Sequence, residues 1–252
     1  MHAPRPPTSL LPMSFFGGLF VLLASPTQAQ SADPDVHIEQ IGPENTAIVS
    51  ALQNNAATVR QDGSNNRAVI NMGTGHDNRA TAEQSGDNND LEAVMDGDDN
   101  EWDVSQSGAG ATNRAEFSQI GSDNRLDITQ DAPGPTDGLA NFASVHQSGD
   151  DNVAGVTQTA LASGATFANR AMITQTGSGN RANVTQNGTN NVSEQMQEGD
   201  DNLSNIIQNG DDNTAVHHQY GDNLDLGDAL GSLTIEQSGG AHIIIEQCSG
   251  GC

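Results

Sequence analysis

Carboxylate, histidine and cysteine side chains are the groups of this chain that could do chemistry. The 252 residues include 33 Asp and Glu, and four turns read Gly-Asp-Asp-Asn. Such turns could bind Ca²⁺, which prefers carboxylate and carbonyl oxygens. Solvated acidic turns are the favoured interpretation, because the Gly-Gly-x-Gly-x-Asp pattern of calcium-binding β-rolls is missing. The sequence has no Ser-His-Asp arrangement and no phosphate-binding glycine loop, so it predicts neither an enzyme nor a cofactor.

The histidines and cysteines allow only limited chemistry. The seven His are scattered, and their spacing does not predict a zinc site. Cys248 and Cys252 end the chain as Cys-Ser-Gly-Gly-Cys. One interpretation is a local disulfide, since an exported protein favours it and the two glycines permit the turn. Free or intermolecular thiols are the other interpretation.

Side-chain amides are the most ordered feature of the sequence. Each unit is numbered here from its first Gln, which is slot 0. Gly then falls at slot 2, Asn at slot 5, a small residue at slot 7, Val or Ile at slot 9, and the next Gln at slot 11. Seventeen such units lie between Gln40 and Gln247; Asn fills slot 5 in fifteen, Ala fills slot 7 in ten, and Val or Ile fills slot 9 in twelve. This regularity indicates a repeat architecture.

The slots predict one short β-strand per unit. Slots 5, 7, 9 and 11 are two residues apart, so they point to one face of a strand. Stacked units would bury that face and pair each amide with the same amide in the next coil. The predicted ladder residues are Gln61, Asn66, Gln84, Asn89, Gln106, Asn113, Gln119, Asn124, Gln147, Asn152, Gln175, Asn180, Gln186, Asn191, Gln197, Asn202, Gln208 and Asn213.

Composition sets the class of protein and its surroundings. Apolar residues make up 34% of the chain and the formal charge is −25, with no Lys, so nucleic acid and anionic lipid are not expected partners. Residues 1–29 resemble an export signal with a short apolar stretch. The predicted organisation is a signal peptide at 1–29, an N-terminal segment at 30–39, a repeat solenoid at 40–247 and a Cys-containing tail at 248–252.

The arginines indicate how many units form one coil. Six of the eight basic residues directly follow a slot-5 Asn: Arg67, Arg79, Arg114, Arg125, Arg170 and Arg181. One unit or three units per coil would stack arginine on arginine about 4.8 Å apart. Two units per coil avoid every such pair. The sequence therefore predicts an all-β solenoid with two strands per coil of about 22 residues and about eight coils.

The two-unit register makes predictions about the turns. Units beginning at Gln106, Gln130 and Gln158 carry extra residues, which would protrude from one edge of the solenoid. A fourth insertion near residues 222–231 would lie on the opposite edge. We also expect Arg79, Arg125 and Arg181 to meet acidic turns of the neighbouring coils, at Asp98-Asp99, Asp150-Asp151 and Asp200-Asp201.

The pattern Gln-x-Gly-x-x-Asn-x-Ala-x-x-x-Gln resembles the curlin repeat of bacterial curli fibres. The resemblance implies an amyloid-like solenoid and a subunit that passes through an outer-membrane secretion pore. It also implies polymerisation at the cell surface after nucleation by a partner subunit. Met72 and Met95 depart from the pattern by replacing ladder Gln, and Trp102 and Phe117 enlarge the inner strip.

The predicted function is that of a secreted, self-assembling fibre subunit for cell adhesion, surface attachment and biofilm matrix. Expected partners are further copies of the chain, a nucleator, the secretion pore, and extracellular matrix or surfaces. The alternative is a non-polymerising acidic β-solenoid that binds calcium or an extracellular polysaccharide.

Overall fold

The computed structural model describes residues 33–52, 54–108, 111–132, 138–160, 169–224 and 233–249. The predicted signal peptide at 1–29 lies outside this part of the chain. The described residues form eighteen β-strands and no helix, arranged as two nine-stranded sheets in which every neighbouring pair is parallel. The first sheet contains β1 Asp35–Ile41, β3 Ala56–Asp62, β5 Arg79–Gly86, β7 Glu101–Gly108, β9 Arg125–Ala132, β11 Val153–Ala160, β13 Arg181–Gly188, β15 Leu203–Asn209 and β17 Leu233–Ser238. The second sheet contains β2 Thr46–Ser50, β4 Arg67–Met72, β6 Asp90–Asp96, β8 Ala111–Ile120, β10 Gly138–Ser148, β12 Asn169–Thr176, β14 Val192–Glu198, β16 Thr214–Tyr220 and β18 His242–Cys248.

Each strand pairs with the strand two places later in the chain, so one coil consists of one strand from each sheet. The predicted all-β solenoid with two strands per coil is confirmed. The stack begins at Asp35, five residues before the first Gln of the unit count. Val36, Ile38 and Gln40 supply the inward face of this extra strand, in register with Ala57, Val59 and Gln61.

Strict alternation of burial follows from the two-residue period of a strand. In β3, Ala57, Val59 and Gln61 are buried, and the residues that alternate with them, Thr58, Arg60 and Asp62, are exposed. The inward Ala and Val side chains of the two sheets form one apolar cluster that runs from Ala47 to Val184. Because the side chains at these slots are small, the two sheets pack closely, and a few apolar residues per coil are enough to fill the space between them.

Two large aromatic residues fit into this narrow interior because small residues lie beside them. Trp102 stacks on Ala80 and Phe117 stacks on Ala93 in the neighbouring coils. The two rings meet edge to face, with their centroids 5.0 Å apart. The indole Nε1 of Trp102 is buried without a hydrogen-bond partner.

The turns need residues that accept positive φ. Slot 2 is Gly in most units, with φ near 117° at Gly149, and slot 4 is in most units an Asp or Asn in the left-handed region, for example Asp151 at 58°. A Cβ on Gly149 would lie 2.1 Å from the carbonyl oxygen of Gly177 in the next coil. Glycine is therefore required both for conformation and for the close approach of stacked backbones.

The strands that flank the four insertions follow the order that the unit count predicted. Three insertions, between β7 and β8, β9 and β10, and β11 and β12, each follow a strand of the first sheet and precede a strand of the second. The fourth, between β16 and β17, follows a strand of the second sheet and precedes a strand of the first.

The structure corrects the predicted partners of the arginines. No arginine of the described strands is in register with another, as expected, but Arg79 and Arg125 pair with Glu101 on the strand between them, at 3.8 and 3.7 Å. Asp90 is shared in the same way by two arginines of the second sheet. Within the described residues no ion pair joins Arg79 or Arg125 to a turn aspartate. Slot 6 stacks on slot 6, so the nearest charged side chain lies on the adjacent strand rather than in a turn.

Candidate functional site

The inward amides of the first sheet form a continuous column of nine glutamines, here called the first glutamine ladder. Each Nε2 donates to Oε1 of the glutamine in the next coil over 2.6 to 2.9 Å. Its members are Gln40, Gln61, Gln84, Gln106, Gln130, Gln158, Gln186, Gln208 and Gln237. The ladder satisfies buried amides that would otherwise cost free energy.

From Gln61 onward, each amide of the first glutamine ladder also donates a hydrogen bond across the interior. Gln84 donates to the carbonyl oxygen of Arg67 at 2.9 Å, and Gln158 donates to that of Phe142 at 3.0 Å. In both cases the acceptor lies at slot 6 of the opposite sheet. The glutamines therefore join successive coils and also join the two sheets, a cross-link that the repeat pattern alone does not reveal.

The second glutamine ladder is shorter. It runs through Gln119, Gln147, Gln175, Gln197, Gln219 and Gln247, with Nε2–Oε1 distances of 2.8 to 3.0 Å. Met95 and Met72 occupy the same slot in the two preceding coils and are fully buried. Because Met95 has no N–H to donate, Oε1 of Gln119 is buried without a partner.

Asparagines at slot 5 form two further columns, here called the asparagine ladders. They run from Asn55 to Asn202 before the first-sheet strands and from Asn45 to Asn213 before the second-sheet strands. Each Nδ2 donates to Oδ1 of the preceding coil over 2.9 to 3.2 Å, which is the opposite direction to the glutamines. The same Oδ1 also accepts a backbone N–H in most coils, as Asn152 N–H donates to Asn124 at 3.1 Å.

The columns change at the C-terminal coil. The backbone N–H groups of Leu224 and Ala241 donate to the last asparagines, Asn202 and Asn213, at 2.9 and 3.1 Å. Neither residue has a side-chain amide that could continue the ladder. Both asparagine ladders therefore stop one coil before the end of the described stack.

All eighteen ladder residues named from the sequence lie buried in these four columns. Further members of the four columns occupy the same slots in other units, as the repeat pattern implies. The added members are Gln40, Asn45, Asn55, Asn78, Asn100, Gln130, Asn141, Gln158, Asn169, Gln219, Gln237 and Gln247.

Carboxylates at slot 3 of the acidic turns hold the backbone of the neighbouring turn. Oδ1 of Asp150 accepts the N–H of Ser122 at 2.8 Å, and Oδ1 of Asp200 accepts that of Ser178 at 2.7 Å. Asp211 does the same for Thr189, and these two hydrogen bonds, from the hydroxyl and from the backbone N–H, hold the pKa of Asp211 below its ordinary value. The acidic turns thus contribute to stacking as well as to charge.

The two ends of the described stack leave a strand of each sheet with a neighbour on one side only. β1 and β2 form one end, and β17 and β18 form the other. Val36 and Ile38 are partly buried at the first end, and Ile243 and Ile245 at the second. Cys248 is the last residue of β18, and Cys252 lies outside the described residues, so their disulfide stays a prediction.

Parallel strands stacked in register, with a buried amide column at each strand end, define a β-solenoid with the side-chain ladders of amyloid. The family model described as the curlin associated repeat matches residues 53–86, 75–108, 97–131 and 165–188. The resemblance inferred from the sequence is thereby confirmed for these four stretches of the chain. No curated protein shows a significant match to the chain. The described residues include no helix that is long and apolar enough to span a membrane.

Proposed function

We propose that this protein is a secreted structural subunit of curli-like extracellular fibres, and that it polymerises by end-to-end stacking of solenoids. The observation that carries the proposal is the pair of open ends, each with unpaired strand edges and a partly buried apolar strip. Such edges are templates for a further strand. Head-to-tail addition does not close on itself, so it produces filaments.

The finer parts of the proposal follow from the repeat family. The chain would be exported with residues 1–29 as its signal peptide and would pass through an outer-membrane pore. A nucleator subunit would start polymerisation at the cell surface. The fibres would serve adhesion, surface attachment and biofilm matrix, a structural rather than an enzymatic role.

Filament formation by the purified chain lacking residues 1–29 tests the proposal. We expect thioflavin-positive filaments, visible by electron microscopy, with or without Ca²⁺. A protein that stays monomeric, or that gains β-structure only on addition of Ca²⁺, would instead support the alternative of a non-polymerising calcium- or polysaccharide-binding solenoid.

A matched pair of variants tests whether the open end is the surface that assembles. Ile38→Lys places a charge on the inward strip of β1, whereas His37→Lys adds the same side chain to the exposed outward face. We expect Ile38→Lys to slow filament growth strongly and His37→Lys to leave it close to the unmodified rate. Equal growth of the two variants contradicts stacking through this end.

A further inference from the structure

The interior of the solenoid changes character near its C-terminal end. One apolar cluster ends at Val184, and a separate one contains Ile206, Ala215 and Ile235. Between them, Ser193, Gln195 and Ser204 occupy slots that hold Ala, Val or Ile in most other coils, and all three are buried. We call this polar interruption of the core, together with His217, the polar seam.

His217 lies at the inward slot 9 of β16 and is 1% exposed. Among the buried side chains of the described residues, it is the only one that can ionise. Nδ1 lies 2.7 Å from the hydroxyl of Ser204, and Nε2 lies 2.7 Å from Oε1 of Gln247. The ring therefore links β15, β16 and β18.

The hydrogen-bond partners of His217 indicate that its imidazole ring is neutral. Oε1 of Gln247 also accepts Nε2–H of Gln219 at 2.9 Å, so it faces His217 as an acceptor. Nε2 of His217 must then carry the proton, and Nδ1 accepts the hydroxyl hydrogen of Ser204. A second proton on Nδ1 would force the Ser204 hydroxyl to turn from donor to acceptor and would place a charge in the interior.

The surroundings do not compensate such a charge. The register partners of His217 are Gln195 and Ile245, which cannot ionise. The inward side chains of β15 and β17, such as Ser204 and Ile235, are likewise neutral. The titratable groups of the adjoining strands lie on the outer faces or at the strand ends: Glu194, Glu198, His218, Tyr220, Glu236, His242 and Glu246.

Burial is the largest influence on the ring. It holds the pKa of His217 below its ordinary value, with nearby His218 acting in the same direction and the Gln247 hydrogen bond opposing it. The seam is also imperfect when neutral, because Oγ of Ser193 and Oε1 of Gln195 are buried without partners. Unpartnered buried polar atoms lower the cost of local opening.

We propose that His217 is an acid-sensitive lock on the last strands of the solenoid, and that its protonation opens β16–β18 while the preceding coils stay folded. The direction follows from linkage. An opened ring titrates near its unfolded value of about 6.5, and the folded ring titrates lower. The stabilisation is fully present above the unfolded pKa and is lost progressively as the pH falls from there through the lower pKa of the folded ring. The inference does not depend on fibre formation.

Hydrogen exchange of the whole chain, followed by mass spectrometry at pH 7.5 and pH 5.0, tests the lock. After correction for intrinsic exchange, we expect opening of β16–β18 to increase about tenfold at pH 5.0, with β3–β9 unchanged. His217→Gln should abolish the increase, and Gln already occupies the same slot at Gln195, so this variant is expected to fold. His217→Ile restores the common residue of the repeat and should behave in the same way.

His218→Gln is the matched control, because His218 is adjacent but faces outward, 3.3 Å from Glu194. It should keep the full acid response. The lock is refuted if β16–β18 do not respond to acid, if His217→Gln keeps the response, or if His218→Gln removes it. Equal acceleration in β3–β9 would also refute it, since the solenoid would then open as a whole.

Discussion

Gln147 lies in the middle of the second glutamine ladder and uses every hydrogen-bonding group of its amide. It accepts from Gln119 at 3.0 Å and donates to Gln175 at 2.9 Å and to the carbonyl oxygen of Arg125 at 3.2 Å. Met95 occupies the same slot two coils earlier without making any of these bonds. The same slot therefore holds an amide side chain in one coil and an apolar side chain in another, which allows a direct comparison of the two.

That comparison gives a matched pair of substitutions. Gln147→Leu removes three hydrogen bonds, to Gln119, to Gln175 and to the carbonyl oxygen of Arg125, and leaves Oε1 of Gln175 without its donor, so we expect it to lower the free energy of unfolding by about 2–4 kcal/mol. Met95→Leu breaks no ladder bond and should cost less than about 1.5 kcal/mol. Denaturant unfolding of the monomeric chain measures both. Equal costs would show that packing rather than amide pairing determines stability at this slot.

Spacing in the sequence predicts the ladder residues because the same residue type returns at the same slot. It does not predict the second bond of each glutamine, since the slot-6 carbonyl of the opposite sheet is set by how the sheets face each other. The repeat pattern gives no special role to His217 or Gln195 either. Both replace Val or Ile at slot 9, which the pattern places inward, but the partners of His217 on β15 and β18 follow only from how the strands stack.

At the scale of strands and turns, the period of eleven residues together with the arginine positions is enough to predict two strands per coil. The same pattern predicts the wrong partners for Arg79 and Arg125, which pair with Glu101 and not with turn aspartates. The carboxylate of Asp150 accepts a backbone N–H of the preceding turn, whereas Glu101 lies at the same slot as Arg79 and Arg125. Backbone hydrogen bonding in the turns cannot be inferred from charge alone.

The glycines of the turns differ in how much a substitution by alanine should cost in stability. Gly149→Ala combines a positive φ with a collision against the carbonyl of Gly177, whereas a Cβ on Gly239, at φ 70°, meets nothing within 4 Å. We expect Gly239→Ala to cost about 1–3 kcal/mol from backbone strain. Gly149→Ala should cost more, because two coils must also move apart. Thermal unfolding of the two variants measures the difference, and equal shifts would contradict close backbone stacking.

At the scale of the whole molecule, the two ends match only in part. A second copy stacked in register would bring Gln237 over Gln40 and continue the first glutamine ladder. It would bring Gln247 over Ala51, whose side chain cannot accept a hydrogen bond, and Asn45 over Ala241, which has no side-chain amide. We therefore expect junctions between copies to be weaker than the contacts between coils within one copy.

Net charge opposes the same junction. The full chain carries a formal charge of −25, so approaching copies repel each other until salt screens them, with a Debye length of about 10 Å at 0.1 M. We expect the rate of filament formation to increase several-fold between 10 and 300 mM NaCl, by about the same factor for any monovalent salt. Thioflavin kinetics measure this rate, and a rate that falls with added salt would contradict the expectation.

The opposite directions of the ladders have an electrical consequence. Eight Gln–Gln bonds in the first sheet and five in the second donate toward the C-terminal coil. Six and seven Asn–Asn bonds donate toward the N-terminal coil. Their amide dipoles therefore oppose each other along the axis, unlike the aligned peptide dipoles of an α-helix. Added coils build up little axial dipole, so stack length carries no growing electrostatic penalty from its ladders.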